Sequence, residues 1–386
     1  MSGAHRTDSA EYLARVARVA PAIDAAAEKI EDDRRLPADL LAALHKEKLF
    51  RLLLPKPFGG EEIDLPTFFL VLNAIAEHDA STAWCICQTN GCATSAAFLD
   101  ADVAQAVWGD DPNAALSWGP GVGKVAEKDG GYVVNGRWQF ASGSRLATWL
   151  GGNSLVTLNG KETLRTLLFP ASQAEMIDIW NVIGLRGTAS DGYAVKDLFV
   201  PKNYAVTRGS ERAELRYEAP AYFIPAHNWY GTGFSGVALG IARAALDLFK
   251  QRATEKKPHR LTKLLCEDPV VQADLAVAEA RLGSAKAFML QEANAVWGDV
   301  VKRGEFILAD RMRIRLAATY AIHEAKEVVN MAYDAAGATV IFKGHPIERR
   351  FRDIHTLTQQ SQGRKNHFQN VGAFMLGLEP DLPSPY

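Results

Sequence analysis

The segment His227-Asn228-Trp229-Tyr230, followed by Phe234, sets polar tips and aromatic faces within two turns of a predicted helix. A pocket for a flat aromatic ligand needs that mixture, because ring faces supply contact area and a few polar atoms fix orientation. A packed domain interface uses the same residue types, and both readings stand at this level. His78 and Trp84 are placed to close such a pocket from an earlier part of the chain. Histidine brings general acid or base chemistry, since it titrates near neutrality without a large shift. Lys257 and Arg260 follow the aromatic segment; a guanidinium matches phosphate oxygens geometrically, although charges on a loop are also simply solvated. Cys85, Cys87, Cys92 and Cys266 match no common zinc spacing, and the first three fall in an apolar stretch, so buried thiols are expected rather than a metal centre. No phosphate-binding or dinucleotide fingerprint sits between a predicted strand and helix, so no nicotinamide site is indicated.

The elements that must position these groups fall into three zones. The 386 residues, 48% hydrophobic and 23% charged, exceed what one core usually serves, so two or three packed subdomains are expected. A net charge of -2 gives no overall field favouring nucleic acid or an anionic membrane. No charged-then-apolar leader and no membrane-length apolar run stand out, which points to a cytoplasmic protein.

Residues 1–113 read as a helical domain. Leu36-Pro37 with Asp39-Leu40-Leu41 opens one helix, Pro55 to Gly60 closes that region, and Phe68 to Phe98 forms two helices broken near Asp79-Ala80-Ser81. Residues 114–225 read as a β-domain with turns at Asp129-Gly130-Gly131, Asn135-Gly136 and Leu158-Asn159-Gly160. Asn135-Gly136 predicts a hairpin between Tyr132-Val133-Val134 and Trp138-Gln139-Phe140, and a further strand at 193–200 ends at Pro201. Residues 226–386 read as a helical bundle. There Asp268-Pro269 starts a helix whose apolar positions recur from Val271 to Met289, and Gly337 ends another that begins near Asp310.

The stretch Trp180 to Pro201, WNVIGLRGTASDGYAVKDLFVP, resembles the acyl-CoA dehydrogenase signature, a Gly-Leu-Arg-Gly-Thr-x-Ser turn leading into a strand that ends Val-Pro. LPADLLAALHKEKLFRLLLPKPFGG at 36–60, RWQFASGS at 137–144 and HPIERRFRD at 345–353 follow that family's order. The resemblance implies a mostly α fold with a central β-domain: an N-terminal helical domain, a middle β-domain and a C-terminal four-helix bundle. It also implies a bound flavin and a homotetramer.

The departures point to one branch. Ser361 stands eight residues after Asp353, where dehydrogenases of the family carry a glutamate base, and Tyr230 stands at the alternative base position. Neither hydroxyl substitutes for a carboxylate at neutral pH. Asp79-Ala80-Ser81-Thr82-Ala83-Trp84 and Trp138-x-Phe140-x-Ser142-Gly143 are similar to the oxygenase half of two-component (group D) flavin monooxygenases. These take reduced FMN or FAD from a separate flavin reductase and use O2 to hydroxylate phenols, indoles and related rings through a flavin C4a-hydroperoxide. The resemblance implies that the Ser142 hydroxyl, with Ser144 as the substitute, bonds flavin N5, and that Trp138 and Phe140 wall the ring against water. It implies that Arg260 holds flavin phosphate of a neighbouring subunit, and that Gly337 is what remains of the adenine-binding stretch. Many members carry a histidine where Gln360 stands here, which leaves His355 as the acid/base candidate. The expected substrate is a small aromatic molecule seated by His78, Trp84, His227, Trp229, Tyr230 and Phe234. Two rivals remain: an acyl-CoA oxidoreductase with an atypical base, and a DNA-binding relative using Arg349, Arg350 and Arg352. The slightly acidic balance disfavours the second.

Overall fold

A computed structural model describes residues 7–158, 160–207, 214–260 and 262–381. The N-terminal domain contains α1 (Ser9–Asp33), α2 (Ala38–Lys46), α3 (Leu65–His78), α4 (Ala80–Ala93) and the single turn α5 (Ala101–Ala104). Asp64 and Asp79 cap α3 and α4 by accepting from the backbone N–H of Thr67 and Thr82. Asp79 therefore serves as the break between the two apolar helices, as the sequence suggests.

Among the described residues eight strands follow: β1 (Leu116–Trp118), β2 (Lys124–Lys128), β3 (Gly131–Ala141), β4 (Trp149–Leu158), β5 (Lys161–Pro170), β6 (Glu175–Ile177), β7 (Asp191–Pro201) and β8 (Ala205–Val206). They form two four-stranded sheets, ordered β1-β4-β5-β8 and β2-β3-β7-β6. Trp138, Tyr193, Phe169, Leu150 and Val134 fill one core within this domain. The hairpin turn falls at Asp129-Gly130, where Lys128 pairs with Gly131. In the β4–β5 connection Leu158 pairs with Lys161, and Asn159 of that expected turn lies outside the described residues.

Asn135-Gly136 is not a turn. It is an irregularity inside the continuous strand β3. The Asn135 amide donates to Asp197 Oδ1 at 3.1 Å and accepts from the Asp197 N–H at 2.9 Å on β7, so a cross-strand exchange replaces the local hairpin.

The last zone contains α6 (Pro220–Phe223), α7 (Ala226–Glu255), α8 (Pro269–Arg303), α9 (Leu308–Ala336), α10 (Pro346–Leu357) and α11 (Asn366–Met375). Asp268 caps α8 and Gly337 ends α9. α7 is the central post. A Cβ at Gly240 would lie 2.4 Å from the Asn73 carbonyl, so the absence of a side chain lets α7 lie directly on the α3 backbone. Contrary to the sequence expectation, α7 is long and apolar enough to cross a membrane by length and composition. However, 78% of its apolar window is buried inside the chain, which marks a core helix. All four cysteines are thiols, three of them buried.

Candidate active site

The end of β3 carries the first functional group. A second irregularity lies between Trp138, paired with Tyr193, and Ala141, paired with Asp191. Within it Phe140 takes a left-handed φ of 56°. A bulge shifts side-chain parity, so Trp138 and Ala141 point into the β-core while Phe140 turns out and is 59% exposed. Holding a phenylalanine at positive φ costs on the order of 1–3 kcal/mol, a strain typical of ligand-binding positions. The Trp180 ring meets Phe140 edge-on at 6.1 Å.

Ser142 follows at once. Its Oγ accepts from Trp84 Nε1 at 2.9 Å and lies 2.7 Å from Ser190 Oγ, which lies 2.8 Å from Thr188 Oγ1. Thr188 Oγ1 also lies 2.9 Å from the Leu185 carbonyl. Thr188 donates to the Leu185 carbonyl, so Ser190 donates to Thr188 and Ser142 to Ser190, which leaves a Ser142 lone pair as the outward group. The turn that carries this relay is fixed by two left-handed residues, Leu185 (φ 53°) and Ala189 (φ 44°). Gly143 N donates to the Thr188 carbonyl at 2.8 Å, and Ser144 Oγ donates to the Ala189 carbonyl at 2.9 Å. Ser144 is thereby occupied as a brace. From the bundle, buried Asp353 accepts from the Leu185 N–H at 2.6 Å. Burial pushes this carboxyl up to about 6, against the pull of that N–H and of Arg349 and Arg350. A Cβ on Gly184 would sit 2.3 Å from the Arg352 carbonyl, so only glycine lets this turn meet α10.

Trp84 joins the relay to the aromatic set. Its ring stacks on Phe234 at 3.8 Å, and Phe234 stacks with Tyr230 at 5.8 Å. The Tyr230 hydroxyl lies 3.4 Å from Cys92 Sγ. Phe234, Tyr230 and His227 share one face of α7, being seven, three and zero residues from the first. The three domains thus meet at Ser142, Trp84 and Phe234, which the sequence places among its candidates.

Other candidates lie elsewhere. Trp138 has no exposed surface; its Nε1 donates to the Asn153 carbonyl and its ring stacks on Tyr193, so it packs the β-core instead of walling a ligand. Trp229 is equally enclosed, donating to the Ala221 carbonyl with its ring edge-on to Phe68 and Trp297. His78 pairs through Nδ1 with the exposed Asp24 carboxylate at 2.9 Å and does not join the aromatic set. His355 follows Asp353 by two residues, about 200° around the helix, so it faces away from the Leu185 turn. Its Nε2 meets Asn330 Oδ1 at 2.9 Å and its ring lies against Phe351. Burial lowers its basicity. The structure therefore puts His355 in the α9–α10 contact instead of the site.

Arg260 is exposed, with φ 64°. Gly337 lies against the end of α7, where an added Cβ would sit 2.5 Å from Lys256 Nζ. Tyr230 and Lys256 are about 39 Å apart along α7 at 1.5 Å per residue, so Arg260 and Gly337 are remote from Ser142 of the same chain. Arg349, Arg350 and Arg352 do not form an outward basic patch. Arg349 donates to the Ala27 carbonyl, Arg350 to those of Glu77 and His78, and Arg352 pairs with Glu31 and Glu348.

Ser190, Thr188 and Trp180 are functional candidates that the sequence reading left unassigned. The first two stand in the quoted Gly-Leu-Arg-Gly-Thr-x-Ser turn, and that was the available signal.

The acyl-CoA dehydrogenase N-terminal domain matches residues 9–105, and the acyl-CoA dehydrogenase C-terminal domain matches 232–363. The chain belongs to the acyl-CoA dehydrogenase family. Among the relatives that it matches are monooxygenases. An indole-3-acetate monooxygenase of Pseudomonas putida is 29% identical over 91% of this chain and 90% of its own length. The oxygenase component of an FADH(2)-dependent resorcinol hydroxylase from Rhizobium sp. (strain MTP-10005) is 28% identical over 95% and 94%. The crystal structure of the HsaA monooxygenase from M. tuberculosis superposes with a TM-score of 0.87 at 27% identity, covering 97% of this chain and 99% of that one. Within the family, the chain lies in the two-component flavin monooxygenase branch.

The residues fit a flavin. The outward Phe140 and half-buried Trp180, whose rings meet edge-on two residues from Ser142, offer an apolar face that suits a flat ring system.

Proposed function

We propose that this chain is the oxygenase component of a flavin-dependent monooxygenase that hydroxylates a small aromatic molecule with reduced FMN or FAD and O2. One observation carries the reading: an oriented serine hydroxyl, an outward strained phenylalanine and a three-ring aromatic stack converge from three domains on one place. Reduced flavin, when bound, supplies the electrons that activate oxygen. The protein's own share is positional. With flavin bound, the free Ser142 lone pair would accept from an N–H at the N5 edge, Phe140 would cover the ring, and Trp84, Phe234 and Tyr230 would exclude water and seat the substrate ring.

A separate reductase supplies the reduced flavin, and the cytoplasm is the compartment proposed. A homotetramer in which Arg260 serves a neighbour's flavin phosphate is part of the same proposal, consistent with the place of Arg260 beyond the far end of α7 from Tyr230. The acyl-CoA reading fares worse, because Ser361 is exposed with its Oγ 3.1 Å from Gln360 Nε2, and the Tyr230 hydroxyl faces Cys92. The test supplies NADH, a flavin reductase and FMN or FAD to the protein with a panel of phenols and indoles. Hydroxylated product from at least one supports the reading. Anaerobic flavin bleaching by an acyl-CoA thioester, with no hydroxylation of any ring, would replace it.

A further inference from the structure

Leu185 ties two parts of the site together. Its carbonyl accepts from Trp180 Nε1 at 3.0 Å and from Thr188 Oγ1 at 2.9 Å. The first bond fixes the indole end of the ring that meets Phe140, while Asp191 Oδ1 separately holds the Trp180 backbone by accepting from its N–H at 3.2 Å. The second sets the order of the serine relay, because a Thr188 hydroxyl committed to Leu185 accepts from Ser190, and Ser190 from Ser142. One carbonyl therefore orients both the aromatic pair and the Ser142 lone pair.

That carbonyl keeps its direction only while Leu185 stays left-handed, at φ 53° and ψ 36°. A leucine is disfavoured there by the closeness of its Cβ to the following carbonyl, so the surroundings must over-determine the conformation. Leu185 is 2% exposed, and its buried N–H donates to Asp353 Oδ1 at 2.6 Å, from a helix 168 residues further along the chain. The neighbouring Arg349 and Arg350 are committed to the carbonyls of Ala27, Glu77 and His78 on α1 and α3. Without the carboxyl, a buried N–H is left unpaired in an already disfavoured conformation, and the turn relaxes. Asp64 makes the same kind of bond at the start of α3, accepting from Thr67 N at 2.9 Å while 1% exposed, but none of the site residues hangs from the backbone it holds.

We propose that Asp353 is a positioning residue of the oxygenase site, which through Leu185 holds the Trp180 ring and the Ser142 relay in place. The inference rests on the proposed function. Two readouts test it in the full chain: visible circular dichroism of bound oxidised FMN or FAD, which reports the surroundings of the flavin ring, and hydroxylated product against peroxide for the phenol and indole panel. Asp353→Ala is expected to weaken the flavin dichroism and to lower the product ratio roughly 2- to 10-fold, the range of one hydrogen bond. Asp353→Asn keeps an oxygen facing Leu185 and should stay within about twofold of the unaltered protein. Asp64→Ala should lower stability and change neither readout. Added to Ser142→Ala, Asp353→Ala should lower the ratio by less than it does alone, because the relay it serves is already broken. If Asp353→Ala does not fold, Thr188→Val, which cuts the link between Leu185 and Ser190, should lower the ratio within the same range. Unchanged readouts in Asp353→Ala or an unchanged ratio in Thr188→Val, equal loss in Asp353→Asn, or equal loss in Asp64→Ala overturns the assignment. Flavin binding without hydroxylation of any ring refutes the proposed function and leaves the dichroism to decide the role of Asp353. Absence of flavin binding by the unaltered protein overturns both.

Discussion

Replacing Ser142 by alanine separates the roles of the two serines at the end of β3. Ser142 is 7% exposed, and its Oγ accepts from Trp84 and lies 2.7 Å from Ser190. Its removal strands the buried indole N–H, whereas Ser190 can still bond to Thr188. One stranded buried donor costs about 1–3 kcal/mol of folding stability. If the hydroxyl also contacts the flavin, a further contact of about 1–1.5 kcal/mol disappears during the reaction, which is roughly a 5- to 13-fold effect. The readout is coupling: hydroxylated product against hydrogen peroxide, per reduced flavin consumed. Ser142→Ala is expected to move that ratio toward peroxide by this factor. Ser144→Ala, which removes only the brace to the Ala189 carbonyl, is expected to lower stability by about 1 kcal/mol and leave coupling unchanged. Unchanged coupling in Ser142→Ala, or an equal loss in both variants, would refute the assignment.

Trp138→Ala should destabilise the protein by about 3–5 kcal/mol in urea unfolding, because it empties the β-core. Trp138→Phe should retain the unaltered coupling ratio. Asp353 carries a folded-state value near 6, above the ordinary carboxylate range. The folded form therefore binds the extra proton between about 4 and 6, and this group's contribution falls as pH rises through that window. His367, which burial beside Arg315 holds at about 4, acts oppositely, its contribution being lost as pH falls below its ordinary value. Urea curves of unaltered protein minus Asp353→Asn should isolate the first slope; a difference independent of pH would contradict it. Alanine at Arg349 and Arg352 should leave duplex DNA affinity at background in low-salt gel shifts. Salt-sensitive binding that these changes abolish would restore the nucleic-acid reading.

What was legible in the sequence was local or motif-borne. Asp79, Asp268 and Gly337 mark helix ends through short-range chemistry, and the quoted signature leads to the turn that meets Ser142. The misreadings have non-local causes. Asn135-Gly136 is a favourable hairpin pair, but Asp197, 62 residues away, takes both of its amide bonds. Simple alternation along β3 cannot show that the bulge buries Trp138 and exposes Phe140, because one extra residue reverses parity. The turn motif locates Asp353 beside Leu185, but helix phase then carries His355 to the opposite face.

The central claim is oxygen transfer from O2 to an aromatic ring at the Ser142 site. The most direct measurement is a single turnover with chemically reduced FMN or FAD, 18O-labelled dioxygen and each of a panel of phenols and indoles, with mass analysis of the product. One labelled oxygen per product molecule, with substantially less product from Ser142→Ala, is the predicted result. Complete reoxidation of the flavin with release of peroxide and no labelled product, for both flavins and across the indoles and phenols, would contradict it.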